Sequence, residues 1–295
     1  MTDRILDISD EPAQLHVRYE QLIMKRDNAE DRSIPLEDIA VIVVSQPRVS
    51  FTLSVLSGLA KAGGMFIACD EKHLPTGMML PLQIHHLQAE RFGSQVESKM
   101  PVRKRLWQQL VRSKIKAQAR LLEKQNGSDS GLGALVSQVK SGDTQNVEAR
   151  AARRYWPALL GDEFRRNRDG EPPNNLLNYG YAILRAIVAR AICASGLHPS
   201  IGLHHHNRYD AFVLADDLME PLRPIVDDAA AKYFNQCGSE VQLDRQCKSA
   251  LILPLLGRFS AEGESRTLFD IVSKTASSLA GVFAGGRKKL YLPEI

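Results

Sequence analysis

Apolar and polar residues alternate in the first part of this chain and recur at helical spacing in the remainder. Leu15, Val17 and Tyr19 are separated by His16 and Arg18, which is the two-residue period of a strand with one buried face. The runs Ile39-Ala-Val-Ile-Val-Val44 and Met65-Phe-Ile-Ala-Cys69 are short and apolar, and they predict two more strands. Residues 51–62 between them read as one amphipathic helix. From about residue 85 the alternation disappears, and helices are predicted near 102–124, 145–156, 174–195, 210–235 and 265–283. The pattern predicts an α+β chain, with a small β-rich domain over residues 1–84 and a larger domain over 85–295 that is almost all helix.

Within the second part, residues 176–195 are apolar on nearly every side apart from Arg185 and Arg190, and Gly196 ends the run. This is the signature of a buried central helix. Residues 126–133, with three glycines and two serines, have turn composition and predict a mobile loop. The tail, residues 287–295, reads as either a partner-binding or a disordered segment.

Composition changes little in this picture. A chain of 295 residues with 44% hydrophobic content can bury one large core or two ordinary ones. Its net charge of +4 is too small to argue for nucleic acid by itself, so local clustering has to make that case. The four cysteines show no C-x-x-C spacing, which argues against a zinc ribbon and against a disulfide framework and fits a reducing, cytoplasmic setting. No basic segment followed by an apolar run opens the chain, and no stretch of about 18 uncharged apolar residues occurs, so no membrane association is expected.

Three stretches can carry chemistry. In the helix predicted near 145–156, with Asp143 or Thr144 as its cap, Glu148 falls on the apolar stripe with Ala151, Ala152 and Tyr155, whereas Arg150, Arg153 and Arg154 point away. A carboxylate on such a stripe is costly unless paired or bound to metal, and a buried ion pair is the plain alternative. The second stretch, Gly202-Leu-His-His-His-Asn, leads into an acidic helix in which Asp217 and Glu220 share a face. Imidazole nitrogen with carboxylate oxygen suits manganese or magnesium, the histidine favouring manganese. A solvated loop is again the plain alternative.

The third stretch is the helix over 102–124, where Arg103, Lys104, Arg105, Arg112, Lys114, Lys116, Arg120 and Lys124 stand against one acid, Glu123. Packed through Leu106, Trp107, Leu110 and Ile115, it predicts an outward basic stripe able to track phosphates, or simply a solvated face. The arginines at 150, 153 and 154, and those at 165, 166 and 168, add to the phosphate reading. Two other signals are discounted. Residues 281–288 imitate a P-loop, but arginine stands where lysine is needed and no Ser or Thr follows. Asp70-Glu-Lys-His73 follows a strand and reads as a polar turn.

These stretches, in this order, resemble the CRISPR-associated endonuclease and integrase of spacer acquisition, over most of the chain. Ile34-Pro-Leu-Glu-Asp-Ile39 and Cys69-Asp-Glu-Lys-His-Leu-Pro75 are similar to family segments of the first domain. Pro101, Lys104, Trp107, Lys114-Ile115 and Gln118-Ala119 match one family helix, and Asn175-Leu-Leu-Asn-Tyr-Gly-Tyr-Ala182 matches its central helix.

The resemblance implies a small N-terminal β-sandwich followed by an all-helical catalytic domain. It also implies a metal site of Glu148, His205 and Glu220 holding manganese or magnesium, with Asp217 as an outer-layer or alternative ligand. The implied activity is metal-dependent DNA cleavage and insertion of short foreign DNA as new spacers, by attack of a 3'-hydroxyl on a repeat-boundary phosphodiester. The implied partners are double-stranded DNA, a second copy of the chain in a homodimer, and a small ferredoxin-like CRISPR-associated protein. Arg103, Lys104, Arg112, Lys114, Arg150, Arg153 and Arg154 are the candidate DNA contacts, and the segment from Leu218 to Pro224 looks closest to type II systems. Two rival readings are a catalytically silent DNA-binding scaffold and a metal-dependent phosphohydrolase of small nucleotides.

Overall fold

The computed structural model describes residues 3–27, 29–70, 75–81, 85–167, 170–205 and 207–295. Arg168, His206, most of the Asp70–His73 turn and the expected domain boundary at residue 84 lie outside them.

Two four-stranded sheets form the first part of the chain. The outer sheet has strand order β4 (Arg32–Pro35), β3 (Gln21–Lys25), β2 (Gln14–Arg18), β6 (Ser50–Phe51). Strands β2 and β3 form a hairpin closed by Tyr19 and Glu20, both at positive φ (51° and 58°), whose twist matches that of the strands. The alternation read from the sequence is realised in part: Leu15 is buried and Val17 half-buried, but Tyr19 stands exposed in the turn; Leu15 pairs with the buried Met24, and Leu22 with the buried Ile34.

The inner sheet runs β1 (Arg4–Ile8), β5 (Ile39–Val44), β7 (Met65–Cys69), β8 (Pro75–Met79), parallel except for the last pair. Its central strands are buried on both faces, which explains their unbroken apolar runs. Ile42 and Phe66 face the outer sheet and helix α1 (Leu53–Lys61), while Val41, Val43, Met65 and Ile67 join the helical core. One sheet therefore serves two cores.

The rest comprises α2 (Gln88–Val96), α3 (Met100–Asn126), α4 (Gly133–Val136), α5 (Val147–Leu160), α6 (Asn174–Ala194), α7 (Val213–Met219), α8 (Arg223–Cys237), α9 (Arg245–Ile252) and α10 (Leu268–Phe283). Helix α6 has the length and hydropathy of a membrane span, but it is the centre of this lobe and packs against α7, α8, α9 and α10. Leu176, Leu184, Ile187 and Ile192 on it are fully or almost fully buried.

Four expectations need correction. The lobe is not all helix: β9 (Arg258–Ala261) and β10 (Glu264–Thr267) form a hairpin through Glu262 and Gly263, both at positive φ. That hairpin delays the last helix to Leu268, where the Thr267 hydroxyl accepts the Asp270 N–H at 3.2 Å.

The helix expected over 210–235 is broken into α7, a 3-10 turn over Glu220–Leu222, and α8. Pro221 and Pro224 lack the N–H that a continuous helix needs there. The expected mobile loop at 126–133 is instead tied down. Gly127 ends α3 in the left-handed conformation, Asp129 accepts the N–H groups of Gly131 and Gly133 at 2.8 Å each, and Leu132 is fully buried. The tail is neither free nor loose: Leu290 and Tyr291 are buried, and their N–H groups donate to Gln109 Oε1 and Ser278 Oγ, both at 2.9 Å.

Candidate active site

Helices α3 and α5, the loop at residues 202–212 and the 3-10 turn at Glu220 meet at one edge of the lobe. Residues Trp107, Leu110, Val111 and Ile115 bury one face of α3. Lys114 follows Trp107 by seven residues, Leu110 by four and Val111 by three, so it shares that face. Its side chain is only 13% exposed.

Helix α5 starts on an unusual cap. The buried carboxylate of Asp143 accepts the N–H groups of Val147 and Glu148, both at 2.9 Å, which satisfies two of the helix's orphan donors. Glu148 thus projects from the first helical turn. Val147, Ala151 and Tyr155 make the buried stripe, and Glu148 sits half-buried at its edge rather than in its middle.

The histidine loop is organised by Asp217, which is fully buried. One carboxylate oxygen accepts the N–H of Leu203 at 2.6 Å and of His204 at 3.1 Å. The other accepts the His205 N–H at 3.4 Å and binds His205 Nδ1 at 2.6 Å. Gly202 is required by this close approach, since a Cβ there would lie 2.5 Å from Val213 Cγ1 and 2.9 Å from the His205 carbonyl oxygen. The Trp107 indole stacks on the His204 ring at 4.2 Å and meets the His205 ring edge-on at 5.3 Å. With Nδ1 held by a carboxylate, Nε2 is the His205 nitrogen left for a ligand. The hydrogen bond to Asp217 raises the His205 pKa; burial opposes it, and the charges of Asp217, Glu220 and Glu148 add to the rise.

Glu220 is almost fully buried at the start of the 3-10 turn. Arg223 Nε donates to its Oε1 at 2.9 Å. Its Oε2 lies 2.6 Å from the Lys114 ammonium, an ion contact without the direction of a hydrogen bond. The same ammonium donates to Glu148 Oε1 at 2.6 Å. Burial would push the Glu220 carboxyl up, but Arg223, Lys114 and His205 hold it well below the usual carboxylate range. Burial likewise opposes the charge on Lys114, and Glu220 and Glu148 more than offset that, so its pKa is raised. Two carboxylates thus flank one cation. Among the described residues, no three His, Cys, Asp or Glu side chains close on a single point, because the ammonium stands between the two carboxylates.

A family model described as "CRISPR associated protein Cas1" matches residues 6–242. The chain belongs to the Cas1 family. The CRISPR-associated endonuclease Cas1 of Neisseria meningitidis serogroup C (strain 8013) is 39% identical over 286 residues, covering 96% of this chain and 93% of that one. A casposase bound to integration product has the same fold, with a TM-score of 0.81 at 20% identity over 97% of this chain and 92% of the other. A Cas6-RT-Cas1–Cas2 complex matches with a TM-score of 0.77 at 19% identity, over 99% of this chain and 36% of the longer one. Family membership places the chain among CRISPR-associated proteins whose curated relatives are named endonucleases.

Against that family frame, the structure brings Glu148 and Glu220 onto one cation and puts His205 and Asp217 beside them. The expected basic face is rearranged. Lys114 points into the site instead of out to solvent. Arg103 donates to Ser98 Oγ at 2.7 Å and to the Gln95 carbonyl oxygen at 3.1 Å, and Arg112 donates to the Val139 carbonyl oxygen at 2.8 Å. These three guanidinium or ammonium groups brace the fold. Lys104 stays exposed beside Gly142, Arg150 is half-buried, and Arg153 and Arg154 are exposed.

Sequence reasoning missed the role of Lys114, although its helical spacing from Trp107, Leu110 and Val111 pointed inward. It also missed Arg223 and, behind it, Asp227. Asp227 is buried and accepts from both Tyr155 Oη, at 2.8 Å, and Tyr181 Oη. The Arg223 guanidinium lies over the Tyr181 ring at 4.5 Å, linking the two clusters.

Proposed function

We propose that this Cas1 family member is a divalent-metal-dependent DNA endonuclease and integrase that inserts short foreign DNA as new spacers into a CRISPR array. The observation that carries the metal reading is the convergence of Glu148 and Glu220 on one cation, with Glu220 Oε2 buried and lacking a directed hydrogen bond. Two carboxylates and an imidazole whose other nitrogen is held by Asp217 form a donor set suited to manganese or magnesium.

A divalent ion bound there supplies a Lewis acid for the phosphoryl oxygen and for the leaving oxygen. The chain's own residues do the rest. Glu148, His205 and Glu220 hold the donors in place, and Asp217 fixes the imidazole through its Nδ1 hydrogen bond. Trp107 packs against both neighbouring histidine rings and limits their rotation. With a DNA 3'-hydroxyl as nucleophile the site transfers strands; with water it cuts.

Double-stranded DNA is the substrate in this reading, and the integration product bound by the casposase relative supports it. The exposed Arg153 and Arg154, on the same helix as Glu148, are the retained DNA contacts, with Lys104 and Arg150. A homodimer and a small ferredoxin-like partner protein complete the assembly, acting in the cytoplasm. The relative in a complex with Cas2 supports such a partner. The β-rich residues 1–84 are the proposed contact region, because Tyr19, Phe51 and Leu53 expose large apolar side chains there. The identity to the Neisseria meningitidis protein is in keeping with a type II system.

The test is cleavage and strand transfer on branched DNA with Mn2+, with Mg2+, and with a chelator. Chelation and Glu148→Ala, His205→Ala or Glu220→Ala should each abolish both reactions while the far-UV spectrum is kept. Activity that survives chelation would return the protein to the DNA-binding scaffold reading.

A further inference from the structure

We propose that Lys114 is the resident counter-ion of the metal site, so that divalent-metal loading is an exchange of one cation for another. The inference rests on the metal-site reading above and adds a residue to it. The Lys114 ammonium lies 2.6 Å from Glu148 Oε1 and 2.6 Å from Glu220 Oε2, and no other cation contacts Glu148 in this cluster. A divalent ion held by Glu148 and Glu220 would need that same space. A divalent ion and an ammonium a few ångströms apart repel each other.

The residue type fits an exchangeable occupant. Lysine carries a compact charge on a flexible stem, which can withdraw while its backbone stays packed on α3. The other cation of the cluster, Arg223, is bound through Nε to the far oxygen of Glu220 and leans over the Tyr181 ring. It is therefore placed to stay while Lys114 leaves. Without Lys114, the metal-free chain would confront the buried Glu220 and the half-buried Glu148 with no cation between them. With it, the site is held assembled before metal arrives.

Two measurements on the full chain test this. Mn2+ binding is followed by electron paramagnetic resonance in wild type, Lys114→Gln and Glu220→Ala. Removing the competitor should tighten Mn2+ binding to Lys114→Gln at least tenfold, and heat denaturation should show a larger Mn2+-induced rise in Tm than in wild type. In parallel, wild type is reductively methylated with and without Mn2+, and modification at Lys114 is read by mass spectrometry. This second measurement needs no variant to fold. Methylation of Lys114 should be slow in metal-free protein and rise several-fold with Mn2+. If Mn2+ binds wild type but Lys114 stays equally protected, or if Lys114→Gln binds Mn2+ no more tightly, the exchange is wrong and Lys114 is only a structural partner. If wild type binds no Mn2+, or Glu220→Ala binds it equally well, the metal-site assignment fails first.

Discussion

Two carboxylates seven residues apart, Glu220 and Asp227, are both buried in the same lobe, yet their surroundings shift their pKa values in opposite directions. Glu220 is met by Lys114, Arg223 and His205 and is held ionised. Asp227 is met by two tyrosine hydroxyls, and burial outweighs their hydrogen bonds and raises its pKa to about 6. Depth is the same and the direction of the shift is not. A carboxylate surrounded by cations is prepared to bind a metal, whereas one surrounded by hydroxyls is prepared to anchor helices. Asp227 ties α5 to α6 through Tyr155 and Tyr181, and so fixes the angle from which Glu148 enters the site.

The largest test of this contrast is catalytic. Glu220→Ala should lower DNA cleavage roughly a thousandfold or more, the value of several kcal/mol of transition-state stabilisation, whereas Asp227→Asn should cost less than about tenfold. Single-turnover assays at saturating Mn2+ compare the two, and equal losses would erase the distinction.

The next test is stability against pH. Asp227 has a folded pKa near 6 and an unfolded value of 3.8, so the folded chain holds the extra proton between those values. Its contribution to stability is therefore full below about pH 4 and is lost as pH rises through 6, by about 3 kcal/mol at most. Urea denaturation across pH 4 to 7 should show this decline in wild type, and Asp227→Asn should flatten it. A slope that persists in the variant would assign it to another group.

Tyr155→Phe should destabilise by about 1 kcal/mol through loss of one hydrogen bond to Asp227. Guanidinium unfolding at neutral pH reads it, and a larger loss would mean the hydroxyl does more than anchor. The smallest effect concerns exposed charge. Replacing Arg153 and Arg154 together by alanine should weaken DNA binding several-fold and reduce the salt slope by about 1 to 2. An unchanged slope in a fluorescence-anisotropy titration would remove them from the DNA path.

The β-rich part was legible because alternation and apolar runs are local patterns: Leu15, Ile42 and Ile67 are buried where those patterns require, whereas Tyr19, the third residue of the alternation, falls in the exposed turn. The hairpin at residues 258–267 was not, since four-residue strands carry too little periodicity to stand out beside helical neighbours. Prolines at 221 and 224 were visible, but helical spacing on either side hid the break they cause. At the site, the importance of Glu148 could be suspected from its place beside Ala151 and Tyr155. Choosing His205 among three histidines depended on the family resemblance, because the hydrogen bonds from residues 203–205 to Asp217 span more than ten residues. Lys114 was misread for a simpler reason: its charge was given more weight than its spacing.

The contact between Trp107 and the histidine loop also makes the site visible to light. The only other indole in the sequence, Trp156 on α5, lies against Tyr155 and Phe164, and no imidazole among the described residues packs on it. Trp107 is 1% exposed and has one imidazole face-on and another edge-on. Emission from a buried indole in this position is quenched by a protonated imidazole and changes when that ring takes a different ligand. The protein thus carries its own fluorescent reporter beside His205, and a Trp156→Phe background would isolate it, so that occupancy of the site can be followed in solution without any label.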